Sequence, residues 1–217
     1  MKIGVLIPSR GDRPEFLEFA KKQMSRQTLQ PDFIEIVDDP PLSDKKDITY
    51  RYRIGCKRLF DKGADLVAFI EDDDWYSADY LKIMSDLWIA HGRPSIIGIN
   101  ETYYYHLAIR AWQFERHPNR ASAMSTLVSR DVLNIAWNRD EDPWTDIHLW
   151  KVMKGPAIAP PKVIAIGIKH GVGLCGGMGH VKNQSTYKNS DKFMSWLQEH
   201  VDPEAAEFYT KIQAKLK

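Results

Sequence analysis

The chain has 217 residues and a formal net charge of +1, from 30 Lys and Arg against 29 Asp and Glu. With 43% hydrophobic and 27% charged residues, its composition is that of an ordinary globular domain. That excludes a disordered, collagenous or coiled-coil chain and a strongly basic nucleic-acid protein, and leaves only a local basic patch open.

The run Ile3–Ile7 is apolar and is stopped by Pro8, Ser9, Arg10 and Gly11, which reads as a buried strand and a loop. Pro14 suits the first position of a helix carrying Phe16, Leu17, Ala20 and Met24 on one face. Phe33–Val37 alternates and is β-branched, and Asp38-Asp39-Pro40-Pro41 ends it. Residues 50–62 form a basic helix closed at Gly63. Leu66–Ile70 is a third strand, running into Glu71-Asp72-Asp73-Asp74. Ser77 is expected to cap the next helix, with Leu81, Met84, Leu87 and Trp88 facing inward. Strands alternating with helices make right-handed βαβ crossovers and a parallel sheet.

The later chain has a different texture. Ile96–Asn100, Glu101–His106 and Leu107–Phe114 read as a meander, Ser125–Ser129 as a short strand, and Pro143–Lys154 as a helix. Val163–Ile168 is the last strand, followed by a loop holding Gly171, Gly173, Gly176, Gly177 and Gly179. From Asp191 the pattern is helical, with Phe193, Trp196, Leu197, Ala205, Phe208, Ile212 and Leu216 as its apolar set. The expected fold class is α/β, with a mostly parallel central sheet flanked by helices and a smaller mixed-sheet half. The expected organisation is one domain, 1–217, with halves at 1–92 and 93–190 and a helical tail at 191–217. Cys56 and Cys175 lack CxxC spacing and read as two reduced thiols. No apolar run approaches the ~18 residues of a membrane span, and the N-terminus is too short in apolar length for a signal peptide. A cytoplasmic location is expected.

Three polar clusters fall at the carboxyl ends of the first three strands, and in a parallel sheet those ends share one edge, where ligands bind. Asp72, Asp73 and Asp74 repel one another unless a hard divalent cation such as Mg²⁺ or Mn²⁺ sits among them. The plainer alternative is a solvated acidic loop. Asp38 and Asp39 can accept hydrogen bonds from a base or ribose, or can serve only as turn residues before Pro40. Arg51, Arg53, Lys57 and Arg58 make a basic helix. Arg53 and Lys57, four residues apart, share one helical face that can clamp a diphosphate or be simply solvated, and which of the four points inward is open. Asp146 lies among Trp144, Ile147, His148 and Trp150, where burial is costly without a partner or a task such as general base. Its alternative is a carboxylate favoured by a helix N-terminus. His170 and His180 flank the glycines, and either can offer an imidazole to a metal.

The order Ile-Pro-Ser-Arg (7–10), Ile-Val-Asp-Asp (36–39), Phe-Ile-Glu-Asp-Asp-Asp-Trp-Tyr (69–76) and Thr-Asp-Ile-His-Leu-Trp (145–150) resembles the family 2-type glycosyltransferases of the GT-A fold. The resemblance is best over residues 3–90, patchy to about 180, and lapses in the tail. It implies that Pro8, Ser9 and Arg10 line a nucleotide pocket, and that Asp39, beside Asp38, reads the base. It implies that Asp72 to Asp74 bind the ribose and the metal–diphosphate, with Asp72 and Asp74 on the metal, and that Asp146 is the catalytic base. The Gly-Gly-Met-Gly-His segment favours His180 over His170 as a metal ligand. The donor implied is a nucleotide-sugar, a UDP-sugar first, with Mn²⁺ or Mg²⁺ as cofactor and an inverting displacement as the reaction. Thr145 stands where the family has Glu, so Glu141 and Asp142 stay open as the base. Pro40-Pro41 replace the usual Gly-Ser.

Trp75, Trp144 and Trp150 can stack on a sugar or belong to the core. The acceptor is open among a glycan, a protein, a small molecule and a modified nucleic acid. Arg110, Arg116, His117, Arg120 and Arg130, near Tyr103–Tyr105 and Trp112, offer a basic–aromatic face for hydroxymethylated DNA bases, with ordinary surface charge as the alternative. The rival readings are a nucleotidyltransferase and a non-catalytic sugar- or nucleotide-binding module.

Overall fold

In a computed structural model of the chain, residues 1–42, 44–172 and 184–216 are described. The first elements are β1 (Ile3–Pro8), α1 (Pro14–Ser25), β2 (Phe33–Val37), α2 (Ile48–Asp61), β3 (Leu66–Phe69), β4 (Trp75–Tyr76) and α3 (Tyr80–Ala90). Next come β5 (Ile96–Ile99), β6 (Glu101–His106), β7 (Ala111–Arg116), β8 (Thr126–Ser129), α4 (Thr145–Met153), β9 (Ala157–Ile158), β10 (Ala165–Lys169) and β11 (Asn189–Ser190). The chain closes with α5 (Ser195–His200) and α6 (Pro203–Lys215).

One sheet has the order β2-β1-β3-β8-β5-β9. β1 is parallel to β2 and β3, β8 is antiparallel to β3 and β5, and β9 is parallel to β5. Every strand but β8 therefore runs the same way. Every residue of β1 is buried, because helices cover both faces of a sheet whose centre it occupies. The packing of α2 on β1 is close enough to need glycine: a Cβ at Gly55 would lie 2.1 Å from Leu6 Cδ1. A second sheet, β11-β7-β6-β10-β4, packs beside the first. The predicted meander is divided between them. β5 joins the central sheet, while β6 and β7 form a hairpin in the second. The Ile96–Ile99 strand is wholly buried, which suits a central position, whereas β6 and β7 are part exposed.

Other boundaries move for local reasons. Ser77 does not cap α3: its Oγ is buried without a hydrogen-bond partner, and helix α3 starts at Tyr80. The C-terminal helix is two helices, because Pro203 has no N–H to carry a helix through it. Asp202 then caps α6, accepting from the Ala205 N–H at 3.1 Å. Phe193, expected inside, is 85% exposed. Among the described residues, no helix is long and apolar enough to cross a membrane.

The fold holds the acidic run from two sides. Gln23 lies in the last turn of α1 and Gln27 just beyond its end, and both are buried. Gln23 Nε2 donates to Asp74 O at 3.0 Å and its Oε1 accepts from the Tyr76 N–H at 2.8 Å. Gln27 repeats the pattern on Ser77 O and the Leu81 N–H. From the other side, the Tyr209 hydroxyl of α6 donates to Asp73 O at 3.2 Å, and Trp75 Nε1 donates to Asp202 at 2.9 Å. Phe19 stacks on Phe208, which locks α1 to α6. The tail is thus a brace for the site.

Candidate active site

Parallel register brings the three clusters to one edge. Pro8 pairs with Val37, and Leu6 with Phe69, so Ser9-Arg10, Asp38-Asp39 and Glu71–Asp74 all follow the same row of strand ends. The acidic run also links the two sheets. Ile166 of β10 pairs with Trp75 of β4, so the residues after Ile166 pass alongside Asp74 and Asp73. The Ile168 N–H donates to Asp74 Oδ1 at 2.7 Å, Lys169 Nζ lies 3.6 Å from the same oxygen, and His170 Nε2 is 3.0 Å from Asp73 Oδ2.

Arg13, the residue before α1, completes the cluster. Its guanidinium donates to Asp72 Oδ1 at 2.6 Å and to Asp73 Oδ2 at 2.7 Å. Two carboxylate oxygens are left over: Asp72 Oδ2 and Asp74 Oδ2 are buried with no hydrogen-bond partner. Glu71, Asp73 and Asp74 each present an oxygen within 4.8 Å of the others. That trio differs from the expected metal set, since Glu71 joins it and Asp72 is turned toward Arg13. His180 lies outside the described residues. His170 has both ring nitrogens engaged: Nδ1 accepts from the Val172 N–H at 3.0 Å, which leaves Nε2 to donate to Asp73. It has no free lone pair for a metal in this arrangement.

Burial and two fixed cations set the electrostatics. Glu71, Asp72, Asp73 and Asp74 share Arg13 and Lys169 as their positive neighbours. Burial, then the neighbouring Asp73 and Glu71 charges, push Asp72 up to about 7 against the pull of Arg13. Burial also pushes Asp74 well above the usual carboxylate range, against the pull of Lys169. Burial acts the same way on Asp73, but Arg13 and His170 outweigh it and hold that carboxyl below the usual range. Burial would pull Lys169 down, yet Asp74 and Asp73 hold it above the ordinary lysine value. Burial thus favours the protonated form at Asp72 and Asp74, the two residues with unpartnered oxygens. The all-oxygen set suits a hard cation such as Mg²⁺ or Mn²⁺.

Asp146 comes to the same place. It lies in the first turn of α4, and Arg120 Nη1 donates to its Oδ2 at 2.8 Å. Burial raises its pKa, with Arg120 opposing and the Glu71 charge adding. Tyr52 bridges the two acids: its hydroxyl donates to Glu71 Oε1 at 3.2 Å, and the Asp146 charge bears on it. The alternative bases sit differently. Glu141 pairs with Lys45 in solvent, and Asp142 accepts from the Trp144 N–H at 2.9 Å.

The basic helix presents a residue other than the pair expected. Arg51, 1% exposed, faces the strand ends, donating to Ser9 O, Val37 O, Asp39 O and Asp47. Arg53 pairs with Asp140. Lys57 pairs with Asp61, ~14 Å along the helix from Ile48. Arg58 holds Asp39 in a two-pronged pair at 2.8 and 2.9 Å, which lowers the Asp39 pKa. Arg10 donates to Asp47 at 2.8 Å and pins the loop after β2. Arg51→Leu is expected to cost about 3–5 kcal/mol, because it leaves Asp47 buried with half its partners gone. Urea unfolding measures it, and a loss below 1 kcal/mol would remove Arg51 as the pin of this edge.

Sequence reasoning did not pick out Glu71, Arg13, Arg51, Arg120 or Lys169 as individual site residues. Glu71 was legible as the fourth acid of its run. The arginines were not, because their partners are 59 residues away for Arg13 and 26 for Arg120. The basic–aromatic face does not assemble. Arg116 pairs with Glu101, Arg110 donates to Lys192 O, and Arg130 donates to Phe60 O. Trp112 stacks on Trp196, while Tyr104 and Tyr105 are buried.

No protein-family model and no curated protein sequence matches the chain. Solved structures do. Staphylococcus aureus TarS 1-349 in complex with UDP is 13% identical, covering 77% of this chain and 60% of that one, with a TM-score of 0.53. The same fragment in complex with UDP-GlcNAc is 10% identical, covering 78% and 59%, with a TM-score of 0.55. A further TarS structure is 10% identical, covering 77% and 37%, with a TM-score of 0.56. The chain thus spans about three fifths of the TarS 1-349 fragment. The fold is the GT-A-like α/β fold of these glycosyltransferases, as the sequence resemblance implied.

Proposed function

We propose that this GT-A-like fold carries a metal-dependent glycosyltransferase, moving a sugar from a UDP-sugar to an acceptor hydroxyl with inversion. The observation behind the reading is the Glu71–Asp74 cluster at the parallel edge, three of whose acids converge while two of its buried carboxylate oxygens are unpartnered. TarS structures that contain UDP and UDP-GlcNAc support a uridine nucleotide as the donor's leaving part.

In this reading residues 1–92 bind the donor, 93–190 receive the acceptor, and 191–217 brace the acidic run. Pro8, Ser9 and Arg10 line the nucleotide pocket, and Asp39, with Asp38, meets the base. Asp72 meets the ribose. Glu71, Asp73 and Asp74 hold the cation, which when bound supplies positive charge against the charge gathering on the departing diphosphate. Arg13 keeps Asp72 and Asp73 from turning away. Asp146 takes the proton of the acceptor hydroxyl, and Arg120 fixes the direction of its carboxylate. The acceptor oxygen bonds to the anomeric carbon as the bond from that carbon to the diphosphate oxygen breaks. The diphosphate leaves with the electron pair, and attack from the opposite face inverts the centre.

Calorimetry with UDP in Mn²⁺ and in EDTA tests the donor site, followed by release of UDP from UDP-GlcNAc and other UDP-sugars. Binding is expected in Mn²⁺ and little in EDTA. Equal affinity in both would sink the metal assignment, and binding with no turnover of any donor would leave a binding module. Asp39→Ala is expected to weaken UDP binding about tenfold, roughly the loss of one polar contact.

A further inference from the structure

A groove of about 650 Å³ opens beside Asp146, walled by Pro118, Asn119 and Arg120 on one side and by α4 and residues 154–157 on the other. Three cations line it, Arg120, Lys151 and Lys154, and no carboxylate does. Arg120 is shared: the guanidinium that lines the groove is the one that holds Asp146. Lys154 ends α4 in the left-handed region, at φ 51, a conformation that favours glycine. The floor is apolar, from Ile147 and Trp150. Ile147 is 44% exposed.

We infer that this groove is the acceptor site, and that the acceptor is a sugar or polyol carrying its own phosphate or carboxylate. The inference rests on the glycosyltransferase reading and deepens it. The volume is that of a small-molecule site, too small for a duplex. The arginines that a nucleic acid would need outside the groove are spent on Glu101, Lys192 O and Phe60 O. A sugar ring lies against Ile147 and Trp150, the acceptor's anion meets Lys151 and Lys154, and its hydroxyl is left beside Asp146. The two lysines thus select the acceptor by charge and orient it, while Asp146 acts on the hydroxyl.

The test is titration of isotope-labelled protein with glucose 6-phosphate, glucose and a short DNA duplex, read by NMR at Ile147 and Trp150. Glucose 6-phosphate should saturate at least tenfold more tightly than glucose. Lys151→Glu with Lys154→Glu should abolish that preference, and Lys211→Glu should not. Circular dichroism confirms that each variant is folded. Equal affinities for the two sugars, a preference that survives the double variant, or no saturation at millimolar probe overturns the inference. Tighter binding of the duplex, lost in the double variant, reassigns the groove to nucleic acid. UDP calorimetry on the same variants separates the two readings. Failure of UDP to bind sinks the donor site with the sugar-phosphate result intact, and normal UDP binding with no sugar-phosphate preference sinks only the groove.

Discussion

Asp146→Asn is expected to reduce sugar transfer by about 10²–10⁴-fold, the usual contribution of a general base, while UDP affinity stays near wild type. The asparagine keeps the size and can still accept from Arg120, so α4 keeps its place and only the proton acceptor is lost. Burial raises the Asp146 pKa, which makes its carboxylate a stronger base than a solvated aspartate, and Arg120 opposes that rise. The loss should therefore fall on kcat, with the donor KM little changed. Glu141→Gln and Asp142→Asn serve as companions. Glu141 is in solvent with Lys45 and Asp142 holds a backbone N–H, so neither should change kcat by more than a few-fold. Wild-type turnover in Asp146→Asn, with loss in either companion, would transfer the role.

Mn²⁺ should displace protons from the acidic run. Asp72, pushed up to about 7, and Asp74, also raised by burial, favour their protonated forms in the metal-free protein. Metal binding should release protons, and more of them near pH 6 than near pH 8.5, where Asp72 has already ionised. Calorimetry in buffers of different ionisation enthalpy counts them. The same pair sets the direction of a stability effect. The unfolded Asp72 ionises near its ordinary value of 3.8, the folded one near 7. Between those values the folded state holds a proton that the unfolded state has lost, so metal-free stability should fall as pH rises through that window. Mn²⁺ should raise the melting temperature more at pH 8 than at pH 5, and Asp74→Asn should abolish the rise. Metal binding with no proton release, or an equal rise at both pH values, would remove the cation from the Glu71, Asp73 and Asp74 cluster beside Asp72.

Much of this site was legible in the residues. β1 and β3 were readable because a strand buried on both faces must be continuously apolar, β2 because its residues alternate and are β-branched, and Pro8, Pro40 and Gly63 punctuate the chain where it turns. The convergence of Ser9, Asp39 and Asp72–Asp74 followed from parallel strands alone, since parallel strands share one carboxyl edge. Asp146 stood out because a carboxylate among tryptophans needs a reason to be there. Local spacing could not say which face of α2 turns inward. Arg53 and Lys57 share a helical face, but Arg51 is the residue with Ser9 O, Val37 O and Asp47 within reach, and those partners exist only once β1 and β2 are paired. Arg13 gave no sign of its role, because a loop arginine before a proline becomes a ligand of Asp72 and Asp73 only when α1 packs against the edge. Whether the acids carry protons was also beyond the sequence. Adjacency makes three aspartates repel, but burial and the placement of Arg13, Lys169 and His170 decide which of them ionises. Sequence determined the edge and its residue types, because strand pattern and turn chemistry are local. Tertiary structure decided the partners, the protonation and the groove beside Asp146, because each depends on groups that only folding brings together.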